Sequence, residues 1–361
     1  MSKIISIGTA VPKHRTEQNI ILEFMHAAYD NDVASRKLNA LFTHSGINSR
    51  YSVIPDFDKS KGEHVFFNGV PSTATIKNKL TVFAEMAIPL AIKAIDDAFK
   101  KIDTTIESFG VTHLITVSCT GLSAPGIDSM LIEQLNLQPD IYHTSVNFIG
   151  CNAAFHALKI ADMIVKTDAK AKVLIVCVEL CTLHFQPKND HDNLLSNTIF
   201  GDGAAAVIIT SDTSENKGLT ITGFYSLLLN KGKELMGWNV TPVNFEMILD
   251  AKIPEFIGNE IEDILEKASK RFNIVPGTIN NWAIHPGGKK IVDTIKKQLQ
   301  LSDTDVQYSY KVLEEYGNMS SPTILFVLNE LMQETHKKDQ TIFALGFGPG
   351  LSIETALFSY A

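Results

Sequence analysis

Short runs of aliphatic and β-branched residues alternate along this chain with longer stretches of helical periodicity. That alternation is the tightest constraint on its fold, and it points to an α/β architecture. Residues 4–8, 111–117, 141–146, 173–178 and 204–210 read as strands. Between them, residues 80–101 place Val82, Met86, Leu90, Ala94 and Ala98 at the spacing of one helix face. Pro89 falls inside this helix and is expected to kink it or shift its start. Residues 129–137 and 151–165 read as further helices, the second with Ala154, Leu158, Ala161 and Val165 on one side. After a polar loop at 211–218 the alternation restarts. Strands are expected at 219–226, 282–285, 341–347 and 352–358, and helices at 257–272, 289–299 and 319–333. Residues 227–254 read as loop with short elements. At ~150 residues per domain, 361 residues suggest two units or one duplicated fold, divided as 1–218 and 219–361.

A weak internal echo supports duplication. Gly150-Cys151-Asn152 opens a helix in the first half, and Gly317-Asn318-Met319 is expected to open one in the second. Two such halves imply a pseudo-twofold arrangement with a site between them.

Composition narrows the function. Hydrophobic residues make up 45% and charged residues 20%, which excludes wholesale disorder. No apolar run reaches the ~18 residues of a membrane span. Residues 1–12 lack the basic and apolar regions of a signal peptide, and four cysteines make no disulfide framework, so a cytoplasmic location is expected. With 32 basic and 40 acidic residues the formal charge is −8, which argues against a nucleic-acid binder. A small phosphorylated ligand is still compatible, because a local basic mouth can sit on an acidic protein.

Three residues could carry chemistry. Cys151 follows Gly150 at a strand-to-helix turn, where a helix N-terminus lowers a thiol pKa. The same pattern suits a buried, inert thiol. His285 ends a strand and is followed by Pro286-Gly287-Gly288, which exposes an imidazole at the edge where α/β proteins bind ligands. Asn318 has helix-cap chemistry, sufficient in itself to explain it. It is the set of three, each at the end of an element with glycine nearby, that suggests a site. Gly346-Phe347-Gly348-Pro349-Gly350 lacks the features of a phosphate loop and reads as a hairpin turn or a pocket wall. Cys177, Cys181 and His184 have a C-x3-C-x2-H spacing, but Cys177 lies in a buried strand and a fourth ligand is missing, so no metal is expected. His14, His26, His64, His113, His143, His156, His191 and His336 show no ligand spacing and read as structural or surface residues.

Taken together, Ile149-Gly150-Cys151-Asn152-Ala153-Ala154, Phe200-Gly201-Asp202-Gly203-Ala204, Trp282-Ala283-Ile284-His285-Pro286-Gly287-Gly288, Tyr316-Gly317-Asn318-Met319-Ser320-Ser321-Pro322-Thr323 and the 346–350 loop resemble the chalcone-synthase-like type III polyketide synthases. The order and spacing match over nearly the whole chain. The resemblance implies a thiolase fold with duplicated αβαβα halves in a homodimer. It implies Cys151 as acyl carrier, with His285 and Asn318 as partners. It further implies an acyl-CoA starter, malonyl-CoA extenders, no separate cofactor, and a ring-closed product such as a pyrone or resorcinol. Phe200 and Phe245, the latter in Pro242-Val243-Asn244-Phe245, match the family's gatekeeper phenylalanines. Ser320, Gly348 and Pro349 fall at pocket positions.

Departures from the plant members are informative. Of a basic trio at the CoA entrance only Lys37 is matched, with Ala40 and His44 at the other places; Lys37 and Arg50 are the expected CoA contacts. His184 and Met236 replace smaller cavity residues. Cys119 and Thr120 replace a Thr-Ser pair, and Ala124 replaces a methionine. The expectation is that His184 and Met236 restrict the cavity, with two outcomes: a reduced pocket that makes a short pyrone or small aromatic ring from a small starter, or, the favoured one, a tunnel past the small Cys119 and Ala124 that houses a long acyl starter. The rival readings are a β-ketoacyl-acyl-carrier-protein synthase, which shares the triad logic, and a Cys-His-Asn hydrolase.

Overall fold

The computed structural model describes residues 1–29, 31–58, 64–67, 74–211, 217–241, 245–334 and 339–360. The first half contains β1 (Ser2–Ala10), β2 (His14–Glu17), α1 (Gln18–Tyr29), α2 (Asp32–His44), β3 (Ser49–Ser52), α3 (Ile76–Lys100), α4 (Ile106–Phe109), β4 (His113–Ser118), α5 (Ile127–Gln134), β5 (Tyr142–Asn147), α6 (Ala153–Thr167), β6 (Val173–Leu180), α7 (His191–Ile199) and β7 (Asp202–Ser211). The second contains β8 (Leu219–Leu228), β9 (Met236–Val240), β10 (Phe245–Leu249), α8 (Ile253–Phe272), β11 (Asn281–Ile284), α9 (Lys289–Gln298), α10 (Gln307–Tyr316), α11 (Thr323–Gln333), β12 (Thr341–Gly348) and β13 (Ser352–Tyr360).

Nine strands join in the order β11-β12-β13-β8-β1-β7-β6-β4-β5. The β4–β5, β4–β6 and β11–β12 pairs are parallel and the others antiparallel. Strand alternation then separates the cores. Leu174, Val176 and Val178 of β6 face α3, whereas Ile175 and Cys177 join a cluster with α6 and α11. In β12, Ile342 and Ala344 join that same central cluster, whereas Phe343 and Leu345 face α8 and α9. The result is five layers, α-β-α-β-α, with α6 and α11 in the buried middle. Strands fully buried on both faces explain why β6 and β7 read as unbroken apolar runs.

Several expectations need correction. α3 begins at Ile76, capped by Thr75 Oγ1 accepting from the Asn78 amide at 3.2 Å, and it runs through Pro89. The helix expected at 319–333 starts only at Thr323, because Ser320 takes a left-handed φ of 60° and Pro322 fixes the entry. Residues 227–254 hold the hairpin β9–β10. Part of the polar loop (212–216), residues 242–244 and His336 lie outside the described residues.

Candidate active site

Cys151 lies immediately before the cap of α6 and is 6% exposed. Gly150 holds φ at 97°, and a Cβ there would lie 2.3 Å from Pro349 Cδ. Only glycine allows both the turn and this approach. Gly348 faces away from the thiol: a Cβ on it would meet Asn152 Oδ1 at 2.2 Å. Its role is to let the hairpin close on α6, while Pro349 lines the cavity.

Asn318 reaches the same point from the second half. Its backbone bridges to Phe200, with the Asn318 amide donating to Ile199 O at 2.9 Å and the Gly201 amide donating to Asn318 O at 3.0 Å. Asn318 Oδ1 accepts from the Ser320 amide at 2.8 Å, which turns Nδ2 toward Gly287 O at 3.3 Å and Cys151 Sγ at 4.0 Å. His285 follows β11, its amide donating to Leu345 O at 2.8 Å. It is 1% exposed, and neither ring nitrogen has a hydrogen-bond partner among the described residues.

Burial dominates the electrostatics here. It pushes the Cys151 thiol up to about 11, against the hydrogen bonds from Ser320 and Asn318 that favour thiolate. The lowering expected from the helix N-terminus is therefore outweighed. Burial also drops His285 to about 3. The free site holds a neutral thiol and a neutral imidazole.

Two cavities lie near these residues. The inner one is walled by Cys151, Phe200, Phe245, Met236, His184 and Trp238, with Ser320 and Arg50 also on its surface. Its open volume is about 50 Å³. The outer one has about 310 Å³ and runs from His44, His191, Lys289 and Lys290 to Gly287, whose carbonyl Asn318 holds.

Some expected pocket residues lie elsewhere. The Cys119 amide and Thr120 Oγ1 donate to Glu179 Oε2 at 2.9 and 2.8 Å, while Ser321 Oγ donates to Oε1 at 2.7 Å. Neither Cys119 nor Thr120 lines the inner cavity: Thr120 Oγ1 is taken up by the buried carboxylate, Cys119 Sγ accepts from the Gly150 amide at 3.1 Å, and Ala124 is exposed. Arg50 is not at a CoA mouth. Its guanidinium is buried, donating to Gln18 Oε1 at 3.0 Å and Phe200 O at 2.6 Å. Lys37 is exposed on α2, outside the lining of the outer cavity. Cys177 is fully buried, as a small hydrophobe would be. Glu179 was missed, although a lone carboxylate inside the apolar run Val173–Leu180 was a visible signal. Lys289 and Lys290 were missed as mouth residues, although they follow Gly287-Gly288 directly.

Comparison with known proteins agrees with this arrangement. A mycobacterial protein described as "Alpha-pyrone synthesis polyketide synthase-like Pks18" (Mycobacterium tuberculosis) is 28% identical over 98% of this chain and 90% of its own. A "Putative chalcone synthase" from Bacillus subtilis is 29% identical over 100% of this chain and 99% of its own. The crystal structure of PKS-I from the brown alga Ectocarpus siliculosus superposes with a TM-score of 0.91 at 26% identity, covering 100% of this chain and 98% of that one. Residues 1–213 match the N-terminal domain of "Chalcone and stilbene synthases" and residues 225–360 the C-terminal domain. With both halves matched, the chain belongs to the chalcone and stilbene synthase family, the type III polyketide synthases that join CoA thioesters by Claisen condensation.

Proposed function

We propose that Cys151 carries the starter and growing chain, and that His285 and Asn318 form the enolate of malonyl-CoA. The observation behind this reading is the Asn318 amide, pinned by its own oxygen so that Nδ2 sits 4.0 Å from the Cys151 sulfur. In the first step the Cys151 proton passes to His285, the thiolate attacks the acyl-CoA carbonyl, and CoA leaves. Malonyl-CoA then loses CO2. The C–C electron pair moves onto the thioester oxygen, where the Asn318 Nδ2–H and a His285 N–H can both donate. The enolate carbon attacks the Cys151 thioester, a C–C bond forms, and the thiolate departs. The chain, now on CoA, reloads onto Cys151 for another round. Phe200 and Phe245 wall this space and keep water from the enolate.

The outer cavity suits the pantetheine arm, with Lys289, Lys290, His44 and His191 at its mouth taking the CoA phosphates in place of the expected Lys37 and Arg50. The tight inner cavity, closed by His184, Met236 and Trp238, favours a short cyclised product over a long-chain one. Mass spectrometry of products from malonyl-CoA and a panel of acyl-CoA starters tests this. Triketide or tetraketide rings from small starters are expected, and efficient turnover of long fatty acyl starters would overturn it.

The homodimer rests on β5. It is a sheet edge whose residues are mostly exposed, flanked by exposed Leu122, Tyr142 and Phe148, and a second copy can extend the ladder. Sedimentation at micromolar concentration reads the mass directly, and a monomer would sink this part. Four free cysteines suit a reducing, cytoplasmic setting, and no described helix is long and apolar enough to cross a membrane.

A further inference from the structure

Two buried side chains on the inner cavity present hydrogen-bond acceptors that the protein does not fill. His184 is 9% exposed and Gln186 4%, and both line the cavity. His184 Nε2 lies 2.8 Å from the Thr120 carbonyl. A carbonyl only accepts, so Nε2 carries the proton. Burial lowers this imidazole to about 4, so the ring is neutral near pH 7 and Nδ1 keeps its lone pair. Gln186 Nε2 donates to the Phe245 carbonyl at 2.9 Å, which fixes the amide and leaves Oε1 as an acceptor. Neither His184 Nδ1 nor Gln186 Oε1 has a partner among the described residues. On the same cavity, Arg50 Nη2 is a buried donor without an acceptor. Buried polar atoms are seldom left unpaired, and a cluster of them on one cavity marks what its ligand supplies.

A poly-β-ketone in its keto form offers only acceptors. Set against His184 Nδ1 and Gln186 Oε1, it leaves both unfilled. Moving one methylene proton to a neighbouring oxygen of the same chain gives an enol, with an O–H donor beside a remaining carbonyl. No atom is lost. A second such shift along the chain gives a second O–H, so that two O–H groups match the two acceptors and a remaining carbonyl matches Arg50.

We propose that His184 Nδ1 and Gln186 Oε1 receive hydroxyl hydrogens of the bound chain, so that the cavity selects 1,3-dioxygenated ligands in enol or phenol form. The inference rests on the polyketide reading and deepens it. His184 and Gln186 are then positioning residues that hold the chain in its ring-forming tautomer, and His184 is more than a bulky wall.

The test uses the whole enzyme and its own fluorescence. Trp238 lines the cavity, with its ring centre 5.9 Å from that of His184, while the only other tryptophan, Trp282, is buried against Phe343. Resorcinol, 3-methoxyphenol and 1,3-dimethoxybenzene share a ring and differ in donors: two, one and none. Affinity read from quenching should fall about three- to tenfold at each methylation. Gln186→Met should flatten one step. Equal affinities for the three ligands, no quenching by resorcinol, or an unchanged preference in Gln186→Met overturns the proposal. CoA release from malonyl-CoA is measured on the same preparation. If release is intact and the ligands bind alike, only the acceptor pair falls. If malonyl-CoA is not consumed, the polyketide reading falls whatever the titration shows.

Discussion

The two elbows that build the site look alike in sequence and differ in structure. In the first, Gly150-Cys151-Asn152 runs straight into α6, and the thiol stands at the helix entrance. In the second, Gly317-Asn318-Met319 is followed by a left-handed Ser320 and by Pro322 before α11 begins at Thr323. Each is anchored against the opposite half: Cys151 through a side-chain fit, Gly150 against the Pro349 ring, and Asn318 through a backbone bridge to Phe200. One elbow sets a nucleophile and the other aims a donor at it. The difference suggests that a duplicated framework was adapted by changing how each turn is anchored.

The largest effect should follow loss of the nucleophile. Cys151→Ala is expected to abolish acyl-enzyme, read as an intact-mass increment after incubation with acyl-CoA, while leaving the fold unchanged. An increment that persists would move the acyl group to another residue. Next comes the donor. Asn318→Ala should cost ~10²-fold or more in malonyl-CoA decarboxylation and much less in starter loading. Equal losses in both half-reactions would erase the division between the elbows.

The anchoring itself can be broken. Gly150→Ala and Gly317→Ala should each destabilise by about 2–4 kcal/mol in urea titrations, since both glycines have positive φ and a crowded Cβ position. At Gly150 the obstacle is the Pro349 ring, so adding Pro349→Ala should recover part of the loss. At Gly317 the nearest atom is the Ile199 carbonyl oxygen at 2.7 Å, a backbone atom that no substitution removes. Recovery at neither position, with Pro349→Ala alone neutral, would show that φ strain and not crowding sets the cost.

The most gradual effect, spread over several pH units, is on acid stability. Burial lowers His285 to about 3 and His184 to about 4, below the usual ~6.5 of a free imidazole. Between about pH 6.5 and 4 the unfolded chain binds these protons and the folded chain does not. Stability therefore falls as pH drops through this window, by up to ~1.4 kcal/mol per pH unit for each histidine. Replacing His285 with Gln should shallow the slope measured by pH-dependent denaturation. A slope unmoved by that change would assign the acid sensitivity to other groups.

Sequence made some of this legible and hid the rest, for physical reasons. β6, β7 and β12 were visible because strands buried on both faces carry their signal locally. The three site residues were visible because glycine turns and reactive side chains occur together in short motifs. The facing of Cys119 and Thr120 was not, since it depends on Glu179, sixty residues on. The burial of Arg50 depends on Phe200, 150 residues away. The late start of α11 was half-visible: Pro322 was in plain view, but the left-handed turn at Ser320 follows from how Asn318 Oδ1 is used.

The position of β1 bears on how the molecule is made. Ser2–Ala10 pairs with Asp202–Ser211 along its whole length and touches Leu219–Leu228 at Lys3 and Ile4. The first of these nine strands to be synthesised therefore becomes the middle of the sheet, and it has no partner in the sheet until about 200 further residues exist. At ~5–20 residues per second this is a wait on the order of ten to forty seconds with an apolar edge exposed. Nascent chains of this protein should need holding by a chaperone through that interval. Yield from a cell-free system should rise when one is supplied, and more so when translation is slowed.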